Sequence, residues 1–385
     1  MHPELNIGIV GHVDHGKTTL VEALTGKWVD TFSEEKKRGI TIRLGYSDFS
    51  IYKCEKCGRV TTNEKCVHCF SDCKQEKIFS LIDAPGHESL IPIVLTGAAL
   101  FNAAVLVIAA NEKCPQPQTL EHLRALELGE IKNIIIVQNK VDLVSKEEAL
   151  KNYNEIKELI KGTIAENSKI IPTSVQQGIG IEYLLEELLK IKKPDYPGGD
   201  FLFLVARSFD ANKPGIKPEN LAGGVIGGSV IRGKLKEGDE VIIKPVSIKG
   251  KYVELETKIK KIMRDELEVD EATCGGLVAL QTSLDPSMAK SDKLAGCLAG
   301  TKSMPEILYE IETNYKLFKG YELKTGDTLL VYCRNSRSTG SIASINNEKL
   351  KLNLKLPICA EKNAKVSYSK LVDGKWHLIG WGRIN

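Results

Sequence analysis

The chain has 385 residues, of which 42% are hydrophobic and 27% charged, and its 53 basic and 50 acidic side chains leave a net charge of +3. This exceeds one ordinary domain and describes a soluble globular protein with a sizeable core. With no apolar run of eighteen residues and no secretory pattern, a cytoplasmic protein with no membrane partner is expected.

In chain order, the apolar run Leu5–Val10 leads into Gly11-His12-Val13-Asp14-His15-Gly16-Lys17-Thr18, and an amphipathic stretch follows from Thr19 to Leu24. Strand, glycine-bracketed loop and helix are the setting of a phosphate-binding loop. Its backbone N–H groups curl around anionic oxygens, and the helix dipole behind them reinforces the attraction. Lys17 can reach the outer phosphates and the Thr18 hydroxyl can ligate Mg²⁺.

Two later signals specify the nucleotide. Asp83-Ala-Pro-Gly86-His87-Glu88 follows the strand pattern Ile78–Ile82, and Asn139-Lys140-Val-Asp142 follows Ile134–Val137. Guanine offers two adjacent donors to the Asp142 carboxylate, where adenine would present an acceptor at a cost of roughly 1–3 kcal/mol. Asn139 can bridge base and loop, and the Lys140 stem can lie over the ring. Ser174, Val175 and Gln176 stand where a backbone N–H would meet guanine O6. Asp83 is expected to hold Mg²⁺ through a water, and Gly86 to offer its N–H to the γ-phosphate. Thr41, in Arg38-Gly-Ile40-Thr41-Ile, can ligate Mg²⁺ only while that phosphate is present, which predicts an order–disorder switch. His87 is the candidate to orient the attacking water. No arginine finger is evident, so unaided GTP hydrolysis should be slow.

Between loop and Asp83 lies Cys54-x₂-Cys57-x₈-Cys66-x₂-Cys69, two knuckles able to wrap one ion. Four thiolates suit a structural Zn²⁺, and four protein ligands leave no open site for catalysis. His68 and a fifth thiol, Cys73, leave ligand exchange open; iron–sulfur or reduced thiols are the alternatives.

Apolar runs at 5–10, 78–82, 104–109, 134–138 and 170–173 alternate with helical periodicity near 17–26, 90–101, 116–128, 146–161 and 180–190. This predicts an α/β P-loop GTPase domain over 1–197, with the cysteine insertion at 53–75 and ligand groups beyond the strands' carboxyl ends. Lys192-Lys-Pro-Asp-Tyr-Pro-Gly-Gly199 reads as a linker. Short strands at 201–206, 224–231, 239–243, 254–259 and 277–280 suggest a small closed barrel over 198–286. A second β unit over 287–385 has strands at 307–311, 328–332, 339–345, 349–356 and 365–370, with Pro357 as punctuation and an alternating tail at Trp376–Trp381. Two basic intervals are candidate tRNA surfaces, with ordinary solvated strand faces as the alternative: Lys249, Lys251, Lys258, Lys260, Lys261 and Arg264, then Arg334, Arg337, Lys349 and Lys351.

Together, Gly11–Thr18, Arg38–Tyr46, the cysteine insertion, Asp83–Glu88, Ala109–Thr119, Ala206-Arg-Ser-Phe-Asp210, Asp285–Asp292 and Leu378–Gly382 resemble the gamma-subunit family of archaeal and eukaryotic translation initiation factor 2. The resemblance implies a GTPase domain followed by two β-barrels. It implies a heterotrimer with alpha and beta subunits, and GTP-dependent delivery of methionylated initiator tRNA to the small ribosomal subunit. It assigns hydrolysis to His87, an apolar gate to Val13 and Ile40, and the acidic loop position to Asp14, with GTP/GDP, Mg²⁺ and Zn²⁺ as cofactors. The alternatives are delivery of an elongator or selenocysteinyl tRNA, a mainly noncatalytic GTP-dependent scaffold, and the GTPase subunit of a sulfate-activating enzyme.

Overall fold

The computed structural model describes residues 2–26, 44–87, 90–213, 215–217, 221–264, 267–346 and 348–385. The chain divides into two units, Met1–Pro194 and Asp195–Asn385.

The first unit is built on β1 (Leu5–Gly11), β2 (Gly45–Cys54), β3 (Val60–Thr61), β4 (Cys73–Asp83), β5 (Ala103–Ala109), β6 (Asn133–Asn139) and β7 (Lys169–Pro172). They form one sheet in the order β3-β2-β4-β1-β5-β6-β7. The five strands from β4 to β7 are parallel, while β2 joins β4 antiparallel and carries β3 on its edge. The all-apolar β5 run, Ala-Ala-Val-Leu-Val-Ile-Ala, is buried throughout, as a central parallel strand covered on both faces must be.

The helices α1 (Lys17–Thr25), α2 (Ile91–Ala98), α3 (Pro117–Leu128), α4 (Lys146–Ile160) and α5 (Ile181–Lys190) link these strands. In α1, Leu20, Val21 and Leu24 form the buried stripe, and Gly26 in the left-handed region ends it. Ser145 and Glu148 form a reciprocal capping box that starts α4. Because the strands are parallel, their carboxyl ends emerge together, and the loops after β1, β4, β6 and β7 converge there.

The second unit holds two barrels. The first comprises β8 (Leu202–Phe209), β9 (Val225–Arg232), β10 (Lys234–Lys236), β11 (Glu240–Ile248), β12 (Lys251–Arg264), β13 (Leu267–Glu268), β14 (Glu271–Thr273), β15 (Val278–Thr282) and β16 (Leu298–Gly300), with a short helix α6 (Pro286–Ala289). The order β11-β16-β8-β9-β15-β12 closes through β11–β12 pairing, while β10 and β14 pair apart. The break expected after residue 286 therefore falls inside this barrel, since β16 hydrogen-bonds to both β8 and β11. Residue 197 also lies with this unit, its carbonyl accepting the Gly233 N–H at 3.2 Å.

The second barrel closes in the order β17 (Ile307–Leu317), β20 (Lys349–Cys359), β19 (Ser336–Ile345), β18 (Thr328–Cys333), β21 (Lys365–Val372) and β22 (Lys375–Ile384). Pro357 does not end its strand. The β17–β20 register jumps between Leu308 and Glu310, and there Ser338 Oγ donates to Leu356 O at 2.6 Å and accepts from Leu356 N at 3.1 Å. A bulged stretch tolerates the missing proline N–H that a regular ladder would not.

Candidate functional site

The phosphate loop leaves β1 at Gly11, whose φ of +145° is one that side chains rarely adopt and whose added Cβ would run into Val107 O. Four contacts then hold the loop. The Gly11 N–H donates to His122 Nδ1 at 2.8 Å, the His15 ring meets Val107 O at 3.0 Å through Nδ1, and Asn139 Nδ2 donates to His15 O at 2.9 Å. Lys17 Nζ folds back on His12 O at 2.7 Å and is buried. Gly16, in the left-handed region, leaves room for the Asn139 amide.

Burial governs the histidines. It outweighs the nearby Glu112 carboxylate and lowers the His15 pKa to about 4. At neutral pH the 3.3 Å approach of Glu112 to His15 Nε2 is therefore not an ion pair, and Nδ1–H is the donor to Val107 O. His122 is wholly buried and lowered well below its ordinary value, with Lys17, His12 and His15 adding to the effect. His12 is lowered as well, again chiefly by burial.

Thr18 Oγ1 donates to Asp83 Oδ2 at 2.9 Å. This places the Thr18 hydroxyl where it could ligate Mg²⁺ directly, with the Asp83 carboxylate beside it to hold a water on the ion. Gly86 lies over the loop: a Cβ there would stand 2.8 Å from Val13 N and 3.0 Å from Gly11 O, and would strike Lys17 Nζ. His87, next to it, is exposed, as are Asp14 and Thr19, while Val13 is half-buried. Ile40 and Thr41 lie outside the described residues, as do Arg38 and Glu88.

At the base end, Asn139 is buried and joins two segments, donating to the loop and accepting the Val175 N–H at 3.1 Å. Lys140 is in the left-handed region and Asp142 is exposed on the single turn Val141–Leu143. The Ser174 N–H donates to Ile179 O and the Val175 N–H to Asn139, so two of the three groups expected at guanine O6 are engaged within the protein. Gln176 follows, exposed.

The sequence reading missed His122 and Glu112. His122 is 111 residues from its partner Gly11, and its one sequence signal is its place on the buried stripe of α3 with Thr119, Leu123 and Leu126.

The four cysteines converge as expected. Cys54 and Cys69 sulfurs are 3.4 Å apart, Cys57 and Cys66 3.5 Å, and all four lie within 4.8 Å of one another. A tetrahedron of thiolates about 2.3 Å from Zn²⁺ has edges of about 3.8 Å, so the set fits this ion. The Ser71 backbone N–H lowers the Cys69 thiol to about 6, and the Cys57 N–H lowers Cys54. Cys73 and His68 stand outside the group: Cys73 lies opposite Cys54 on β4, and His68 accepts from Arg59 Nη1 at 2.8 Å.

The basic intervals are less open than expected. Arg264 is buried and donates to Gly275 O and Thr273 O. Lys261, Arg334, Lys349 and Lys351 pair with Glu268, Glu361, Glu312 and Glu310 at 2.7–2.9 Å.

A phosphate loop at the end of β1, a Thr–Asp pair suited to Mg²⁺, and an Asn-Lys-x-Asp turn at the end of β6 define a P-loop GTPase. Family profiles agree over each part: "Elongation factor Tu GTP binding domain" matches residues 2–194, "Elongation factor Tu domain 2" 223–287, and "Initiation factor eIF2 gamma, C terminal" 307–384. Translation initiation factor 2 subunit gamma of Methanothermobacter thermautotrophicus is 46% identical over 403 aligned positions, covering 99% of this chain and 98% of its own. The same-named protein of Pyrococcus furiosus is 44% identical, covering 99% and 97%. The chain belongs to the gamma-subunit family of translation initiation factor 2, and it is a translational GTPase.

Among solved structures, bacterial selenocysteine-specific elongation factor EF-Sec matches with TM-score 0.77 and 26% identity, over all of this chain and 58% of its own. Elongation factor SelB of Methanococcus maripaludis, bound to the GTP analogue GppNHp, matches with TM-score 0.77 and 24% identity, over all of this chain and 79% of its own. These share the fold; sequence identity over the full length favours the initiation factors. No described helix is long and apolar enough to cross a membrane.

Proposed function

We propose that this chain is a GTP-switched carrier that binds methionylated initiator tRNA and brings it to the small ribosomal subunit, in a cytoplasmic heterotrimer with alpha and beta subunits. In this reading the loop of residues 11–19 wraps the phosphates through N–H groups beyond Gly11 and through Lys17, and Asp142, Asn139 and Lys140 hold guanine. Thr18 and Asp83, with Thr41, would hold Mg²⁺, whose charge offsets that of the phosphates. His87 orients the attacking water, Asp14 supports the loop, and Val13 with Ile40 gates the approach. Loss of the γ-phosphate removes the anchor for Gly86 and Thr41, which loosens the surface offered to tRNA. The four cysteines hold a structural Zn²⁺.

The observation that supports this reading most is the position of Gly86 over Lys17 and Val13 N, beside the Thr18–Asp83 pair. In this reading a terminal phosphate seated on the loop meets the Gly86 N–H.

Reconstitution with the alpha and beta subunits tests it. Initiator tRNA should bind at least tenfold tighter with a nonhydrolysable GTP analogue than with GDP, a coupling of about 1.4 kcal/mol or more. Equal affinities would reject the switch, and equal binding of elongator aminoacyl-tRNA would favour an elongation-type carrier. His87→Ala should lower single-turnover hydrolysis at least about tenfold without weakening nucleotide binding.

A further inference from the structure

His122 is buried in the core of α3, yet it is the side chain that receives the first N–H of the phosphate loop. At 2.8 Å from Gly11 N, its Nδ1 must present a lone pair, so the ring is neutral with its proton on Nε2. Among the described residues Nε2 has no hydrogen-bond partner. A histidine kept solely to satisfy itself in a core would engage both nitrogens; among the described residues this one bonds to Gly11 alone.

That bond sits at a sensitive point. Gly11 is the residue where the chain turns out of the sheet, and Val107 O leaves no space for a side chain that could fix the turn from within. The next peptides carry Gly11 O, over which Gly86 lies, and His12 O, which receives Lys17 Nζ. An error in the Gly11 peptide plane is therefore passed directly to the groups facing the phosphates. The helix bearing His122 also packs against α2, the helix that follows Gly86.

We infer that His122 is a positioning residue for GTP binding and hydrolysis, its neutral Nδ1 fixing the Gly11 peptide and through it the phosphate loop. This rests on the loop being the nucleotide site.

Isosteric variants separate this role from packing. Asparagine places its Oδ1 where Nδ1 stands, whereas glutamine places its amide at Nε2 and leaves the Gly11 N–H without an acceptor. We would measure dissociation constants for GDP and a nonhydrolysable GTP analogue, single-turnover hydrolysis, thermal melting and Gly11 amide exchange in H122N, H122Q and H122L. H122Q and H122L should lose at least tenfold in nucleotide affinity and expose the Gly11 amide to exchange. H122N should recover most of both. Should H122L fail to fold, the contrast between H122N and H122Q decides. Affinities and Gly11 protection unchanged in H122Q would overturn the inference, as would H122N falling as far as H122Q with the melting temperature intact. Failure of the parent chain to bind guanine nucleotides would instead reject the GTPase reading itself.

Discussion

The phosphate loop and the cysteine knuckle both hold backbone in tight, left-handed turns, but by opposite means. The loop is fixed by the protein: Asn139 and His122 reach it from a strand end and a helix, while its own His15 and Lys17 tie it to the Val107 carbonyl and to His12 O beside a large core. The knuckle has no such frame. Between Cys54 and Cys73 only Val60 and Thr61 form a strand, and Cys66 is the other buried apolar residue besides Cys54 and Val60. Its order must come from the four sulfurs. A site on a rigid sheet can afford to be empty, whereas a site that is its own core cannot.

The largest expected effect follows from that contrast. Chelation, or Cys66→Ala, should remove coordination free energy on the order of 10 kcal/mol and open residues 54–73. Amide exchange and metal content would report it, while GDP affinity should change less than about twofold. Collapse of GDP binding together with the metal would show that the two regions are coupled. Asn139→Ala should do the reverse. It strips partners from His15 O and Val175 N, each costing about 1–3 kcal/mol, so GDP affinity should fall at least thirtyfold with the metal content unchanged. Fluorescent-nucleotide titration with parallel zinc analysis separates these outcomes.

The same contrast explains what the sequence disclosed. Parallel strands of the GTPase domain are legible because burial on both faces demands continuous apolar runs. The run Gly45-Tyr-Ser-Asp-Phe-Ser-Ile-Tyr-Lys-Cys54 escaped notice because only Phe49, Ile51 and Cys54 are buried, on a strand near the sheet edge. The three-residue strand Leu298–Gly300 is too short to carry a period, yet it moves the barrel boundary. Among the described residues, Thr18 meets Asp83, Gly86 lies over the loop and Asn139 bonds to it, because each follows a strand's carboxyl end. His122 did not announce itself, since its partner is a backbone group set by the helix–sheet packing of α3 and β1.

Acidification should act on the loop more gradually. His15 has a pKa of about 4 in the folded protein, against about 6.5 in an unfolded chain. As pH falls, the unfolded chain takes up the proton first. Stability from this residue is thus complete above pH 6.5, declines by about 1.4 kcal/mol per pH unit down to about 4, and is lost below that. His122 shifts in the same direction. Urea midpoints at pH 7.5, 6 and 5 would check this. The slope for His15→Gln should be shallower by about one proton, and an identical slope would mean that His15 titrates alike in the folded and unfolded chain.

The smallest effect distinguishes the knuckle's two halves. Gly58 and Phe70 occupy equivalent positions, each donating its N–H at 2.9 Å to the carbonyl of the first cysteine, Cys54 or Cys66. Both are left-handed, with φ of +74° and +56°. For phenylalanine that conformation costs roughly 1–2 kcal/mol, and its ring, 79% exposed, regains little by burial. Phe70→Gly should therefore stabilise the metal-bound knuckle by about 1 kcal/mol once the greater freedom of unfolded glycine is deducted. Gly58→Ala, where a Cβ would meet nothing within 4 Å, should destabilise it by a similar amount through the backbone alone. Competition with a chelator reads both as opposite shifts of about fivefold in zinc affinity. A loss of affinity in Phe70→Gly would mean that the exposed ring does more for the knuckle than its strained backbone costs.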